Sequence, residues 1–114
     1  MPSRLFRHLR LAGLLLAAAA ATPARADDMP VIKVEMRDGV ILPAVIEVPA
    51  NTRFKLEISN TGQSPVEFES TELKREKALA AGSTSAIVFR TLDAGTYQVF
   101  DDFHPEAKAT LVAK

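Results

Sequence analysis

Apolar and polar side chains alternate with a period of two residues along much of the chain. In residues 31–36 and 53–58, apolar side chains take every second position or nearly so, and charged side chains stand between them. Alternation of this kind is typical of a strand with one face buried and the other in water. It predicts strands in both segments. Further strands are predicted at Val66 to Ser70, Ser85 to Arg90, Thr96 to Asp101 and Ala109 to Val112.

Residues 40–48 are apolar on both sides of Pro43. Proline has no N–H to donate to a sheet ladder, so strands tolerate it at a sheet edge or where regular pairing is interrupted. We therefore predict that this stretch is an edge strand or a strand that switches from one sheet to another.

Short turns rich in glycine, asparagine and aspartate separate the predicted strands. Glycine or asparagine can take the positive φ that hairpin and bulge turns require. Seven or so short strands at this spacing indicate an all-β fold with the architecture of an antiparallel sandwich. The segment from Ser70 to Ala81 has a possible helix N-cap at Thr71 but few apolar anchors, and we interpret it as a turn or irregular crossover.

The first 26 residues have the three parts of an export signal. The basic side chains are Arg4, Arg7, His8 and Arg10. An apolar stretch runs from Leu11 to Ala21, and residues 24–26 have the small-x-small pattern of a cleavage site. The apolar stretch is shorter than the roughly 20 residues that span a bilayer. We expect a signal peptide at 1–26 that is cleaved after Ala26, a periplasmic domain at 27–114 and no membrane insertion after cleavage. An uncleaved membrane anchor is the alternative.

The net charge and the absence of cysteine exclude several classes of function. The 114 residues contain 14 basic and 14 acidic side chains, but residues 27–114 carry 10 basic and 14 acidic ones, a net charge of −4. An acidic domain of this kind is not expected to bind nucleic acid, because phosphates attract a basic surplus. The chain has no cysteine, which excludes blue-copper centres, iron–sulfur clusters, Cys-ligated zinc and disulfides.

His104 is the single histidine of residues 27–114, and it follows a predicted strand within a run of acidic side chains. Imidazole and carboxylate together bind divalent transition ions. Asp101 shares a strand face with apolar residues, and Asp102 comes next. A half-buried aspartate requires a partner, and a cation is one such partner. These residues are candidate metal ligands, and a solvated acidic loop is the alternative.

A second acidic group, Glu67 and Glu69, flanks Phe68 on a strand that is predicted to end near the same edge of the sandwich. Either glutamate also fits the wet face of an ordinary edge strand. Met36 ends the first strand. A methionine of the core or rim is the interpretation that we favour, and a thioether ligand is the alternative. No serine-hydrolase, zinc-protease or phosphate-loop motif is present, so any chemistry is expected to depend on a bound metal.

The chain resembles the cupredoxin fold from Val31 to Lys114. The residues that carry the resemblance are the extended first strand, the segments 43–51 and 54–60, and a tyrosine-containing segment, 92–97, that leads into residues 100–104. The resemblance implies a cupredoxin-like Greek-key β-sandwich.

The same resemblance shows where the ligands of blue-copper cupredoxins would fall. Asp101 stands at the cysteine place and His104 at the histidine place, while no methionine stands between Glu106 and Ala109. The early histidine would fall at Val66 or Glu67. Because one ligand of four is present, type 1 copper electron transfer is not expected.

Three segments look like a cysteine-free subgroup: Glu67-Phe68-Glu69-Ser70, Glu76-Lys77 and residues 100–106. They are similar to the periplasmic cupredoxin-like component of bacterial ferrous-iron uptake systems. The resemblance implies iron or copper as the metal, and a periplasmic iron-binding protein and an Ftr-type iron permease as partners. It also implies a role in oxidising Fe(II), as a metal-dependent ferroxidase, or in handing it over. A metal carrier or docking module without turnover, and a purely structural sandwich, are the alternatives.

Overall fold

The computed structural model describes residues 29–114, and these residues form nine strands in two sheets, without a helix. The strands are β1 (Val31–Arg37), β2 (Val40–Leu42), β3 (Val45–Val48), β4 (Phe54–Asn60), β5 (Val66–Ser70), β6 (Arg75–Leu79), β7 (Thr84–Phe89), β8 (Gly95–Asp101) and β9 (His104–Ala113). One sheet has the order β2-β1-β4-β7 and the other β3-β9-β8-β5-β6. The predicted all-β sandwich is confirmed.

The signal peptide predicted at residues 1–26 and its cleavage site after Ala26 lie outside the described residues. Within residues 29–114, no helical segment has the length and apolar character that crossing a bilayer demands.

Both sheets are mixed, which refines the expected antiparallel sandwich. β1 and β4 run parallel, as do β3 and β9, whereas the remaining strand pairs are antiparallel. The side-chain period is two residues in either orientation, so alternation along the sequence carries no information on strand direction.

The chain changes sheets at Pro43. β2 pairs with β1 in the four-stranded sheet, whereas β3 pairs with β9 in the five-stranded sheet. The peptide bond between Leu42 and Pro43 is cis. Since the proline lies between the strands, its missing N–H removes no ladder hydrogen bond. Both predictions for residues 40–48 are confirmed, since β2 and β3 are edge strands and the chain switches sheets between them.

β6 lies where the sequence predicted a turn or irregular crossover, and that prediction is wrong for residues 75–79. β6 pairs antiparallel with β5, after a turn in which Lys74 has a φ of 55°. The strand is at the edge of its sheet and only Leu79 is buried. An edge strand with mostly exposed side chains has no clear alternation, and its charged residues protect the free edge from pairing with another chain.

The space between the sheets is filled by apolar side chains from both. Phe54 and Phe89 stack with their ring centroids 5.0 Å apart, and Phe68 and Leu111 of the other sheet are fully buried. Burial of each such side chain contributes about 1.5–3 kcal/mol to folding. This core fixes the strands whose ends carry the candidate ligands.

The hairpin between β8 and β9 meets β5 at one end of the sandwich. Asp101 lies opposite Phe68 of β5 and is also paired with His104, the first residue of β9. The backbone N–H of Asp102 donates to the carbonyl of Glu67 at 2.9 Å. The two acidic segments that are far apart in sequence therefore lie side by side.

Candidate metal site

The turn 101–104 buries Asp101 and exposes the two residues that follow it. Asp101 is only 1% exposed, Asp102 and Phe103 are exposed, and His104 is partly buried. This follows from strand parity, because Asp101 continues the inward row of β8 that includes the buried Val99. The sequence-based prediction that an inward row ends in a carboxylate at the rim agrees with this geometry.

Both oxygens of Asp101 have protein partners. The Oδ1 atom accepts hydrogen bonds from the backbone N–H groups of Glu67, at 2.9 Å, and Phe103, at 3.0 Å. The Oδ2 atom lies 2.9 Å from Nδ1 of His104. A buried carboxylate requires such compensation, and here it comes from two amides and an imidazole. Asp101 thus closes the turn and fixes the ring of His104.

The other edge of the His104 ring faces Ser64. Its Nε2 atom lies 3.5 Å from Oγ of Ser64, and 26% of the side chain is exposed. A carboxylate only accepts hydrogen bonds, so the contact with Asp101 places the imidazole proton on Nδ1. The Nε2 lone pair is therefore the one directed away from the buried carboxylate.

Glu67, Glu69 and Asp102 form a cluster, which we call the outer carboxylate cluster. One oxygen from each can be chosen such that all lie within 4.8 Å of one another. Because Phe68 points into the core, parity places the flanking glutamates on the outer face of the sheet. The sequence-predicted ligands are therefore divided between two places: Asp101 and His104 at the inner rim, and these three carboxylates outside.

Partial burial raises the pKa of Glu67 and of Glu69, and the charges of neighbouring carboxylates add to the rise. Partial burial is the largest cause of the raised pKa of Glu67, followed by a hydrogen bond with Asp102 and by the charges of Glu76, Asp102 and Glu69. The pKa of Glu69 is raised by partial burial and then by Asp102 and Glu76. Glu76 contributes because it lies directly opposite Glu69 on β6.

No basic side chain of residues 29–114 lies within 4.0 Å of a carboxylate oxygen of the outer carboxylate cluster. The ion pairs within residues 29–114 join other side chains. The cluster therefore combines oxygen ligands, uncompensated negative charge and access to solvent. These are the properties of a place that attracts a hard or borderline cation.

Met36 is fully buried and belongs to the apolar core. It pairs with Ile41 across β1 and β2 and with Asn60 across β1 and β4. The structure thus shows a packing role for this methionine, which corresponds to the core alternative considered from the sequence.

Sequence reasoning missed three residues that shape the rim. Asn60 is buried, and its Nδ2 donates to the carbonyls of Ser64, at 2.9 Å, and Leu79, at 3.1 Å. The carboxylate of Asp38 accepts from the backbone N–H of Gln63, at 3.1 Å, and lies 3.2 Å from Oγ of Ser64. Asn60 and Asp38 were visible only as turn residues, because their partners are distant in the sequence.

A type 1 copper centre does not fit this rim. The chain has no cysteine, and Asp101 at the cysteine place has both oxygens engaged by neighbouring groups. The ligands that remain are nitrogen and oxygen atoms, which can bind divalent ions in sites that need no thiolate.

Comparison with known proteins agrees with the fold. Uncharacterized protein RP394 of Rickettsia prowazekii (strain Madrid E) is 34% identical over 80 residues, which are 70% of this chain and 64% of that protein. The chain therefore spans slightly less than two thirds of that relative's length.

Two solved structures share the fold at low sequence identity. Auracyanin B is 17% identical, with a TM-score of 0.64 over 84% of this chain and 93% of that one. The metal-binding domain of the Cu(I)-exporting P-type ATPase CopA of Streptococcus pneumoniae D39, solved with Cu(I), is 12% identical, with a TM-score of 0.67 over 80% and 91%. The family model of the cupredoxin-like domain matches residues 10–113. The chain belongs to the cupredoxin-like domain family.

Proposed function

We propose that this chain is a periplasmic metal-binding protein that assists ferrous-iron uptake, by handing Fe(II) to an iron permease or by oxidising it first. The observation that carries the proposal is the outer carboxylate cluster, in which oxygens of Glu67, Glu69 and Asp102 lie within 4.8 Å of one another. Iron is the cargo in this proposal. It would be held at the surface and passed on.

The electrostatics of the cluster support binding of a cation. The raised pKa of Glu67 and Glu69 reflects partial burial and repulsion between neighbouring carboxylates. A divalent ion placed among them relieves that repulsion, because an opposite charge favours the ionised form of a carboxyl group. Binding is therefore expected to be accompanied by release of protons at mildly acidic pH.

The ligand type also bears on oxidation. Carboxylate oxygens are hard ligands, and they bind Fe(III) more tightly than Fe(II) because of its higher charge. This difference lowers the Fe(III)/Fe(II) potential, which makes transfer of an electron from the bound ion to dioxygen easier. Ferroxidase activity is therefore one outcome of the proposed function, with iron as the substrate.

The location and partners of the protein belong to the same proposal. The export signal predicted at residues 1–26 and the net charge of −4 on residues 27–114 suit an exported metal-binding domain. The similarity of Glu67-Phe68-Glu69-Ser70 and residues 100–106 to the iron-uptake subgroup supports a periplasmic iron-binding protein and an Ftr-type permease as partners.

A metal carrier without turnover is the second candidate. Residues 29–114 enclose no pocket, and Asp102 is exposed. An enzyme that activates dioxygen gains from a site that excludes water, whereas a carrier gains from an open site that releases its ion easily. This openness favours delivery over oxidation.

Anaerobic Fe(II) titration of the protein, purified after export, tests binding. We expect Glu67→Gln/Glu69→Gln to weaken Fe(II) binding at least tenfold, and Glu47→Gln, which removes an exposed charge of β3, to bind like the wild type. Equal affinity in all three proteins would contradict the proposal. Oxygen uptake in the presence of Fe(II) then separates the ferroxidase from the carrier.

A further inference from the structure

The outer edge of β7 presents backbone groups that no neighbouring strand uses. β7 ends the four-stranded sheet, and within residues 29–114 its partner strand is β4 alone. On β4, the N–H of Lys55 donates to the carbonyl of Pro30, at 3.0 Å, so the backbone groups of Lys55 face β1. Val88 lies opposite Lys55, and its N–H and C=O therefore point away from the sheet. By alternation, those of Ala86 and Thr84 do the same.

The side chains of β7 do not protect this edge. Edge strands are usually protected from pairing with another chain by charged residues, by proline or by short length. The other three edge strands have such protection: β6 has three charged residues in a row, β3 contains Glu47, and β2 has three residues and is followed by Pro43. The six residues Thr84–Phe89 of β7 include no charged residue, proline or glycine. β7 is therefore the edge strand of residues 29–114 that is best suited to accept another strand.

One side chain from the other sheet occupies part of the β7 edge. Arg75 of β6 donates from Nη1 to the carbonyl of Val88, at 3.1 Å. Its guanidinium group also lies over the ring of Phe89, 4.8 Å from the ring centroid. No other hydrogen bond among residues 29–114 reaches the outward backbone groups of β7. Arg75 therefore competes for the carbonyl of Val88 with any strand that pairs along this edge.

The β7 edge of a second copy of this chain is complementary to it. In an antiparallel pair centred on Ala86, the two Ala86 residues exchange N–H···O=C hydrogen bonds, and Thr84 of each copy pairs with Val88 of the other. The exposed side chains that then lie opposite each other are uncharged. Arg90 follows β7 and falls opposite Gly82, so like charges of the two copies do not meet along this pair.

We propose that the free edge of β7 is a self-association surface, on which two copies of this chain pair antiparallel about Ala86, and that Arg75 restrains this pairing. The four-stranded sheets of the two copies then form one continuous sheet. A single pair of short strands is a small interface, so the association is weak and depends on protein concentration. The outer carboxylate cluster belongs to the five-stranded sheet and stays accessible, so this inference is independent of iron binding.

Sedimentation equilibrium of the protein purified after export tests the restraint by Arg75. Arg75→Met keeps an apolar contact with the ring of Phe89 but cannot donate, so the carbonyl of Val88 becomes free for a second copy. We expect the dissociation constant of the dimer to fall at least tenfold relative to the wild type. Lys77→Met is the matched control, because it makes the same change of charge and polarity on the same strand, and it should associate like the wild type. Equal association in all three proteins would overturn the proposal.

Charges introduced at Ala86 test where the pair is centred. In the Arg75→Met background, Ala86→Lys and Ala86→Glu each place two like charges directly opposite each other, which destabilises a strand pair. Each variant alone is expected to lose the tighter association. An equimolar mixture of the two places opposite charges face to face and should associate several-fold more tightly than either variant alone. If the mixture gains nothing, or if either variant alone stays tightly associated, the copies do not pair about Ala86.

Amide hydrogen exchange of the wild type gives a measurement that requires no substitution. The N–H of Ala86 points away from β4, whereas that of Ile87 faces β4 in the ladder. In dilute protein we expect the amide of Ala86 to exchange much faster than that of Ile87. In concentrated protein the exchange of Ala86 should slow while that of Ile87 changes little. An Ala86 amide that is already protected in dilute protein, or whose exchange does not respond to concentration, would contradict the proposal.

Discussion

The buried carboxylate of Asp101 accepts a hydrogen bond from the backbone N–H of Glu67 at 2.9 Å. This bond joins the inner rim to the strand that carries the outer carboxylate cluster. It is reinforced by a second bond in the opposite direction, in which the N–H of Asp102 donates to the carbonyl of Glu67 at 2.9 Å. The geometry of both candidate sites therefore depends on one buried side chain.

Replacing Asp101 by alanine is expected to destabilise the protein by about 3 kcal/mol, because the N–H groups of Glu67 and Phe103 lose their acceptor in a buried place. Urea unfolding at pH 7 measures the loss. Asp101→Asn keeps an acceptor oxygen and should lose clearly less. If alanine and asparagine have equal and small effects, the hydrogen bonds to Oδ1 do not support the turn.

Removing a charge from the outer cluster is expected to stabilise the metal-free protein. The pKa of Glu67 is raised above 4.5 in the folded state, first by partial burial and then by Asp102 and its acidic neighbours. Because the folded state holds the proton more tightly, the stability that this group provides is fully present below pH 4.5 and is lost as pH rises through the raised pKa.

Glu67→Gln should therefore raise the melting temperature at pH 7 by roughly 1–3 °C, a small effect because the side chain is largely solvated. The difference from the wild type should disappear below about pH 4.5. Melting curves from pH 4 to pH 8 measure it, with Glu47→Gln as the control. If the difference in melting temperature between the variant and the wild type grew as pH fell, the prediction would be contradicted.

A bound cation is expected to offset the repulsion among the carboxylates of the outer carboxylate cluster, which destabilises the metal-free protein. At a free Fe(II) concentration of a hundred times Kd, binding stabilises the folded state by about 2.7 kcal/mol. Anaerobic thermal melts with and without Fe(II) should show the gain in the wild type and its loss on addition of a chelator. At the same Fe(II) concentration, the Glu67→Gln/Glu69→Gln variant should show about half of that gain or less, because its affinity is at least tenfold lower. A gain of the same size in that variant would place the ion elsewhere.

The sequence predicted those parts of the fold that alternation encodes. The burial of Asp101 followed from parity along β8, and the outward direction of Glu67 and Glu69 followed from the inward direction of Phe68. The parallel pairs of strands could not be predicted, because parallel and antiparallel strands have the same side-chain period. The edge strand β6 was missed because it buries only one of its residues.

The rim of the candidate site was harder to predict for a different reason. The contact between His104 and Ser64 joins residues 40 positions apart, and that between Ser64 and Asp38 joins residues 26 positions apart. Neither serine nor aspartate in a turn signals a distant partner. Such contacts depend on how the two sheets pack against each other. That packing is set by the assembled core and not by local sequence.

The last prediction concerns Asn60, whose side chain is hydrogen-bonded to the backbone of Ser64. Asn60 is buried, its Nδ2 donates to the carbonyls of Ser64 and Leu79, and its Oδ1 accepts the N–H of Gly62 at 3.0 Å. Asn60→Ala leaves these groups without a partner and should cost about 2–4 kcal/mol in urea unfolding. Asn60→Asp should cost at least as much, because a carboxylate cannot donate to two carbonyls and would face them as a buried charge. A change below about 0.5 kcal/mol for both variants would mean that the side chain of Asn60 does not organise this segment.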